Sequence, residues 1–227
     1  MAEAFRTIRF HPQPVLEAAR LLAEAIALQA GQVRLAVAGG SVAPVLGAAR
    51  RNLGPELWKR VRLTWVDERC VPFSHPDSNR GTAYRDGHLD PADPPGLELP
   101  LFLDGENPEE ACARVQSAFQ RDFQDRLDLL MLGLGEDGHI ASLFPGRVLR
   151  EAIVFAVADS PKPPAARITF ALPVLVQAPA ALMLAVGNAK LEALQRLHKG
   201  DPALPASRLQ HLNVITDLAT FASEERP

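Results

Sequence analysis

Apolar positions along this chain follow two patterns. Val15, Ala19, Leu22 and Ile26 recur at helical spacing and predict a helix that opens at Pro14 and stops at Gly31. By contrast, Val33–Ala38, Val61–Val66, Leu127–Leu132 and Ala181–Val186 are short apolar runs without period-two alternation, the mark of strands covered on both faces. Helical stretches separate them. One spans Ser41–Arg51, with Pro44 confining its start to about Ala43. Another is capped by Asn107, has Pro108, Glu109 and Glu110 in its first turn, and lines one face with Cys112, Val115, Phe119 and Phe123. A third carries Leu191, Leu194 and Leu197 and ends at Lys199-Gly200. Asp77, Ser78 or Asn79 caps a short helix through about Arg85. Arg6–Phe10, Leu101–Leu103, Ile153–Ala158, Arg167–Phe170 and Leu212–Ile215 read as further strands, the last followed by a short helix. Asp90–Pro100, with its four prolines, reads as irregular, and Pro161-Lys162-Pro163-Pro164 as a rigid loop. Strands alternating with helices predict a three-layer α/β fold with a mostly parallel sheet and right-handed crossovers. Nothing divides residues 1–227, so one domain is expected.

Composition narrows the function classes. With 47% hydrophobic residues the chain can bury a substantial core, and 22% charged residues exclude a disordered tail. The net charge is −3, with no long basic run, which argues against nucleic acid as a partner. No apolar run is long enough to span a bilayer, and the first ten residues lack the layout of a signal peptide. Two cysteines, Cys70 and Cys112, make neither a disulfide framework nor a zinc site, and a reduced cytoplasm is expected.

Candidate chemistry gathers where strands end, because open α/β sheets bind ligands beyond the carboxyl ends of their strands. Gly39-Gly40-Ser41 joins a strand to a helix, where outward N–H groups and the helix dipole favour an anion; a tight turn without a ligand has the same sequence. The motif lacks the lysine of a P-loop and the spacing of a dinucleotide fingerprint. Asp67-Glu68-Arg69 offers a carboxylate for sugar hydroxyls or proton transfer and a guanidinium for phosphate, or else a surface ion pair. Gly133 to Gly146 contains Asp137 and His139, spaced so that the carboxylate orients the imidazole and favours its protonated form, or else is a polar turn that merely exposes His139. Arg167 and Lys190 are further candidate phosphate ligands, or else solvated surface charges; the other histidines read as surface or loop residues. These residues point to an enzyme acting on a small phosphorylated molecule, with His139 as proton carrier, and leave the reaction open.

Several motifs in order carry a resemblance. They are Ala38-Gly39-Gly40-Ser41, Trp65 to Pro72, Asp77-Ser78-Asn79, Leu132 through Asp137-Gly138-His139 to Gly146, Arg167-Ile168-Thr169 and Leu204 to Ser207. Together they resemble the family of 6-phosphogluconolactonases and glucosamine-6-phosphate deaminases over nearly the whole chain. The resemblance implies a Rossmann-like fold without a nucleotide, no metal or organic cofactor, and hydrolysis of 6-phospho-D-glucono-1,5-lactone by water. His139 is then the general base, with Asp137 holding its ring. Gly39, Gly40, Ser41, Asp67, Arg69, Arg167 and Lys190 bind the phosphorylated sugar lactone. Deaminases of the family carry a further glutamate soon after the histidine. Ile140 to Arg150 contains no acidic residue here, which favours the lactonase pattern over a deaminase or a non-catalytic sugar-phosphate sensor. A monomer is expected.

Overall fold

The computed structural model describes residues 5–147 and 150–224. Its strands are β1 (Phe5–Phe10), β2 (Val33–Val37), β3 (Val61–Trp65), β4 (Asp67–Arg69), β5 (Leu97–Leu99), β6 (Leu129–Gly133), β7 (Val154–Val157), β8 (Arg167–Phe170), β9 (Ala181–Ala185) and β10 (His211–Thr216). Its helices are α1 (Pro14–Leu28), α2 (Ala43–Trp58), α3 (Asn79–Arg85), α4 (Pro108–Ala118), α5 (Leu172–Val176) and α6 (Leu191–His198). Seven strands form one sheet in the order β1-β10-β9-β6-β2-β3-β5, and all its pairings are parallel. From β2 the chain winds outward through β3 to β5, and from β6 it winds the other way through β9 to β10. The boundary between β2 and β6 is therefore the topological switch point, where a crevice opens above the carboxyl ends.

The sequence patterns explain this frame. All five residues of β2 are buried, as a strand covered on both faces requires. Its one charge, Arg34, bonds the Asp128 carboxylate at 3.0 Å at the strand's entry. On α1 the buried stripe is Ala18, Ala19, Leu22, Ala23 and Ile26. Asn107 begins α4 with a reciprocal capping box to Glu110, two orphan N–H groups satisfied at once.

Four features depart from the sequence reading. Leu101–Leu103 forms no strand; instead Leu97–Leu99, inside the stretch read as irregular, pairs with Arg62–Thr64 of β3. It is an edge strand, and an edge tolerates the flanking prolines that a central strand would not. α2 comprises two helical stretches that meet at Gly54, whose backbone is not helical (φ 70°, ψ 170°), so the Gly-Pro pair ends the first stretch just past Arg51 and a second, short one runs on to Trp58. The apolar face of α4 runs on through a π-helical turn, Phe119–Phe123, whose rings stack at 5.6 Å. Finally, Asp67–Arg69 is itself a strand. It pairs antiparallel with β8, which pairs with β7, giving a second sheet of order β4-β8-β7 over the carboxyl edge of the first. α5 follows directly from that sheet.

Candidate active site

Four neighbouring strands, β3, β2, β6 and β9, deliver their carboxyl ends to one cleft of about 320 Å³. Gly39, Gly40, Ser41, Asp67, Arg69, His139, Arg167 and Lys190 all line it. Asp137 stands behind the imidazole. Thus every residue singled out from the sequence comes to this place.

After β2 the chain turns through Gly39 and Gly40 into a single 3₁₀ turn and then α2. Gly40 has φ +60°, a conformation L residues avoid. Gly39 is required by proximity: a Cβ there would lie 1.9 Å from Asn79 Oδ1. Asn79 is 4% exposed, lines the cleft and donates from Nδ2 to the Asp67 carbonyl at 2.9 Å. It belongs to a buried knot that ties β4 to α3. Glu68, at the centre, accepts N–H groups from Arg69 (2.8 Å), Asn79 (2.7 Å) and Arg80 (2.8 Å). Burial pushes the Glu68 carboxyl up, against the pull of those three donors. Glu68 is therefore no surface ion-pair partner but the clamp that places its two neighbours, Asp67 and Arg69, on the cleft wall.

After β6 the loop closes on itself. Gly135 N–H donates to the His139 carbonyl at 2.8 Å, and Gly138 N–H to the Gly135 carbonyl at 3.0 Å. The tight turn brings Asp137 Oδ1 to 2.5 Å from His139 Nδ1. If Nδ1 carries the proton, as the carboxylate demands, Nε2 is left with its lone pair. The imidazole also packs on Phe144, ring centres 4.7 Å apart. Burial pushes the His139 pKa below the ordinary value, and Asp137 opposes this without overcoming it. Asp137 thus favours the imidazolium, as expected, but burial outweighs it and biases the ring toward its neutral form, the one that accepts a proton. For Asp137 itself burial acts upward, but the hydrogen bond and charge of His139 prevail and hold it below the usual carboxylate value.

Asp67 is 6% exposed; its Oδ2 accepts the Ser142 hydroxyl at 2.6 Å and lies 3.8 Å from Arg167 Nη1. Arg69 lines the cleft while Nη1 donates to the Asp77 carbonyl at 2.7 Å. Lys190 opens α6 beside Gly187, with Nζ 4.0 Å from Glu136 Oε1. Arg167 is only 3% exposed, and most of its donors are engaged by protein carbonyls. Burial pushes its pKa down, against Asp67. The cleft also holds residues that the sequence reading did not choose: Asn79, Lys162 and Pro163 line it, and Ser142 braces Asp67. Asn79 shows in sequence as a helix cap candidate and as part of the Asp77-Ser78-Asn79 motif, with no role assigned, and Lys162 is masked by the prolines around it. A side chain's direction across a loop has no signature in spacing.

Comparison with known proteins agrees with this geometry. The model of the glucosamine-6-phosphate isomerases/6-phosphogluconolactonase family matches residues 13–216. A rat 6-phosphogluconolactonase is 40% identical over 193 residues, covering 79% of this chain and 74% of that one. The 6-phosphogluconolactonase of Thermotoga maritima superposes with a TM-score of 0.76 at 24% identity, over 93% of this chain and 99% of its own. A monomeric glucosamine-6-phosphate deaminase superposes with a TM-score of 0.73 at 19% identity, over 97% of this chain and 100% of its own. These two structures speak for the fold alone, shared by both activities. Sheet order, cleft and matched span lead to one conclusion: the chain belongs to the glucosamine-6-phosphate isomerase/6-phosphogluconolactonase family.

Proposed function

We propose that this protein hydrolyses 6-phospho-D-glucono-1,5-lactone to 6-phosphogluconate, the second step of the oxidative pentose phosphate pathway. The observation that carries the reading is the Asp137–His139 pair set in a cleft whose other walls are cationic and amide-rich. His139 Nε2 takes a proton from water as the water oxygen attacks the lactone carbonyl carbon. The carbonyl π pair moves to oxygen. When it returns, the bond from carbon to the ring oxygen breaks, and the imidazolium gives its proton to that oxygen. The resulting acid ionises. Asp137 keeps the ring in the tautomer that exposes Nε2 and stabilises its transient charge. No covalent acyl intermediate is needed.

The phosphate, remote from the carbonyl, is the handle by which binding energy positions the ester. Gly39, Gly40 and Ser41 present backbone and hydroxyl donors for it, and Arg69 and Lys190 supply charge. Arg167 contributes charge from within the wall. Asp67 is placed for the sugar hydroxyls. We take the enzyme to be a cytoplasmic monomer built as one domain; the single core cluster supports the last point, and among the described residues no helix is long and apolar enough to cross a membrane.

The test compares acid release from the lactone, after subtracting spontaneous hydrolysis, with ammonia release from glucosamine 6-phosphate. Lactonase activity without ammonia release is expected. His139→Ala should abolish turnover while 6-phosphogluconate still binds. Full activity of that variant, or ammonia release as the main reaction, refutes the reading.

A further inference from the structure

The Pro161-Lys162-Pro163-Pro164 loop between β7 and β8 is fixed at three consecutive carbonyls. Arg167 Nη2 donates to those of Lys162 (2.8 Å) and Pro163 (3.3 Å), and Nε to that of Pro164 (3.0 Å). Ser160 closes the other side: its hydroxyl donates to the Lys162 carbonyl at 3.0 Å and accepts the Lys162 N–H at 3.3 Å. Three prolines fix φ along the same stretch. Such an anchored backbone brings Lys162, with Pro163 beside it, to the cleft wall, and of the two only Lys162 carries a donor. Its Nζ lies 3.9 Å from Asp137 Oδ1, the oxygen bonded to His139. At 43% and 41% side-chain exposure, that pair adds little to stability. The bracing therefore secures a position. That position is at the imidazole end of the cleft, where the carbonyl must sit if His139 is to activate water beside it.

We propose that Lys162 is a catalytic residue that donates a hydrogen bond to the lactone carbonyl oxygen as charge develops there, and that Arg167 is the positioning residue that holds it. This rests on the lactonase reading above. As water attacks, the π pair moves onto the carbonyl oxygen and the Lys162 N–H bond to it strengthens. When the pair returns and the ring C–O bond breaks, that bond relaxes, and Lys162 keeps its proton throughout. Preorganised charge of this kind acts on the transition state more than on the bound substrate. The same ammonium lowers the pKa of the imidazole and of Asp137, which keeps the base neutral beside a cation.

The experiment uses the full chain with Lys162→Met, Lys162→Arg and Arg167→Lys, assayed on the phosphorylated lactone and on glucono-1,5-lactone. For Lys162→Met, kcat should fall about 10²–10³-fold, by the same factor on both substrates. Its KM should change less than about threefold, and its acid limb should move up in pH. Lys162→Arg should recover part of the loss. Arg167→Lys keeps a charge but loses the planar fork that bonds three carbonyls from two separate nitrogens, and should lower kcat by a smaller factor. Unchanged melting temperature and product affinity of Lys162→Met would show that the loss is not one of folding. A kcat within about twofold of wild type, or a loss confined to the phosphorylated substrate, overturns the assignment. If the wild type hydrolyses neither lactone, the lactonase reading fails and this assignment with it. An active wild type beside an undiminished Lys162→Met sinks the lysine alone.

Discussion

Gly135 offers a test of the site that removes no functional group. A Cβ built there would lie 2.0 Å from His139 Nδ1 and 2.6 Å from Asp137 Oδ1. Ordinary contact begins near 3.4 Å, so the imidazole must retreat by about 1.4 Å, the difference between 3.4 and 2.0 Å. No left-handed φ is involved at this residue, so the backbone accepts alanine and the whole conflict falls on the pair. A displacement of about 1 Å costs on the order of 100-fold in a reaction that depends on alignment, and general-base catalysis is worth about 10²–10⁴-fold. Gly135→Ala should therefore lower kcat/KM by about 10²–10³-fold, or about 3–4 kcal/mol of transition-state stabilisation. Stability should fall by only about 1 kcal/mol, since one hydrogen bond is disturbed, which lowers Tm by roughly 2–4 °C. The assay is initial-rate acid release with the spontaneous rate subtracted, paired with calorimetric titration of 6-phosphogluconate and a thermal melt. Near-wild-type kcat/KM would refute the idea that Gly135 makes room for the pair. A variant that melts far lower or cannot bind product would show that the glycine serves folding instead.

Two further outcomes follow from the same geometry. Because burial depresses the His139 pKa, and the base works only when neutral, the acid limb of kcat/KM should lie below about pH 6.5, the ordinary imidazole value, and Asp137→Asn should push it lower still; a limb above that value in the wild type contradicts the neutral-base reading. Ser142→Ala leaves the buried Asp67 carboxyl without its 2.6 Å donor, so unfolding experiments should show a loss of about 2 kcal/mol and a Tm lower by roughly 4–8 °C; unchanged stability would mean that the Ser142–Asp67 bond contributes nothing net.

Much of this protein was legible before any coordinates. The four apolar runs that became β2, β3, β6 and β9 lie side by side, and the residues that follow them share one cleft. Local chemistry sufficed for that: covered strands are apolar throughout, chain direction in βα units is uniform, and ligand-facing residues collect at one edge. Gly39–Ser41 and Asp137–His139 stand out because a strand that ends in glycine and ionisable residues conflicts with propensity.

What spacing left undecided was everything that depends on which distant segments touch. Asp67–Arg69 looked like a strand exit because its partner, Arg167–Phe170, lies far along the chain. Gly54-Pro55 breaks the helix as its propensity demands, but that a second stretch follows and buries Trp58 completely was decided by packing. The balance on the His139 proton also required three dimensions, since the carboxylate two residues away is visible in sequence and the burial that outweighs it is not. The sequence alone determined the fold class, the edge where the candidate residues gather and the pairing of Asp137 with His139, because those follow from periodicity and neighbours in the chain. Only the tertiary structure decided that Glu68 is a clamp, that Arg167 braces a loop and that Lys162 comes within 3.9 Å of Asp137, because each depends on contacts across the fold that no local pattern encodes.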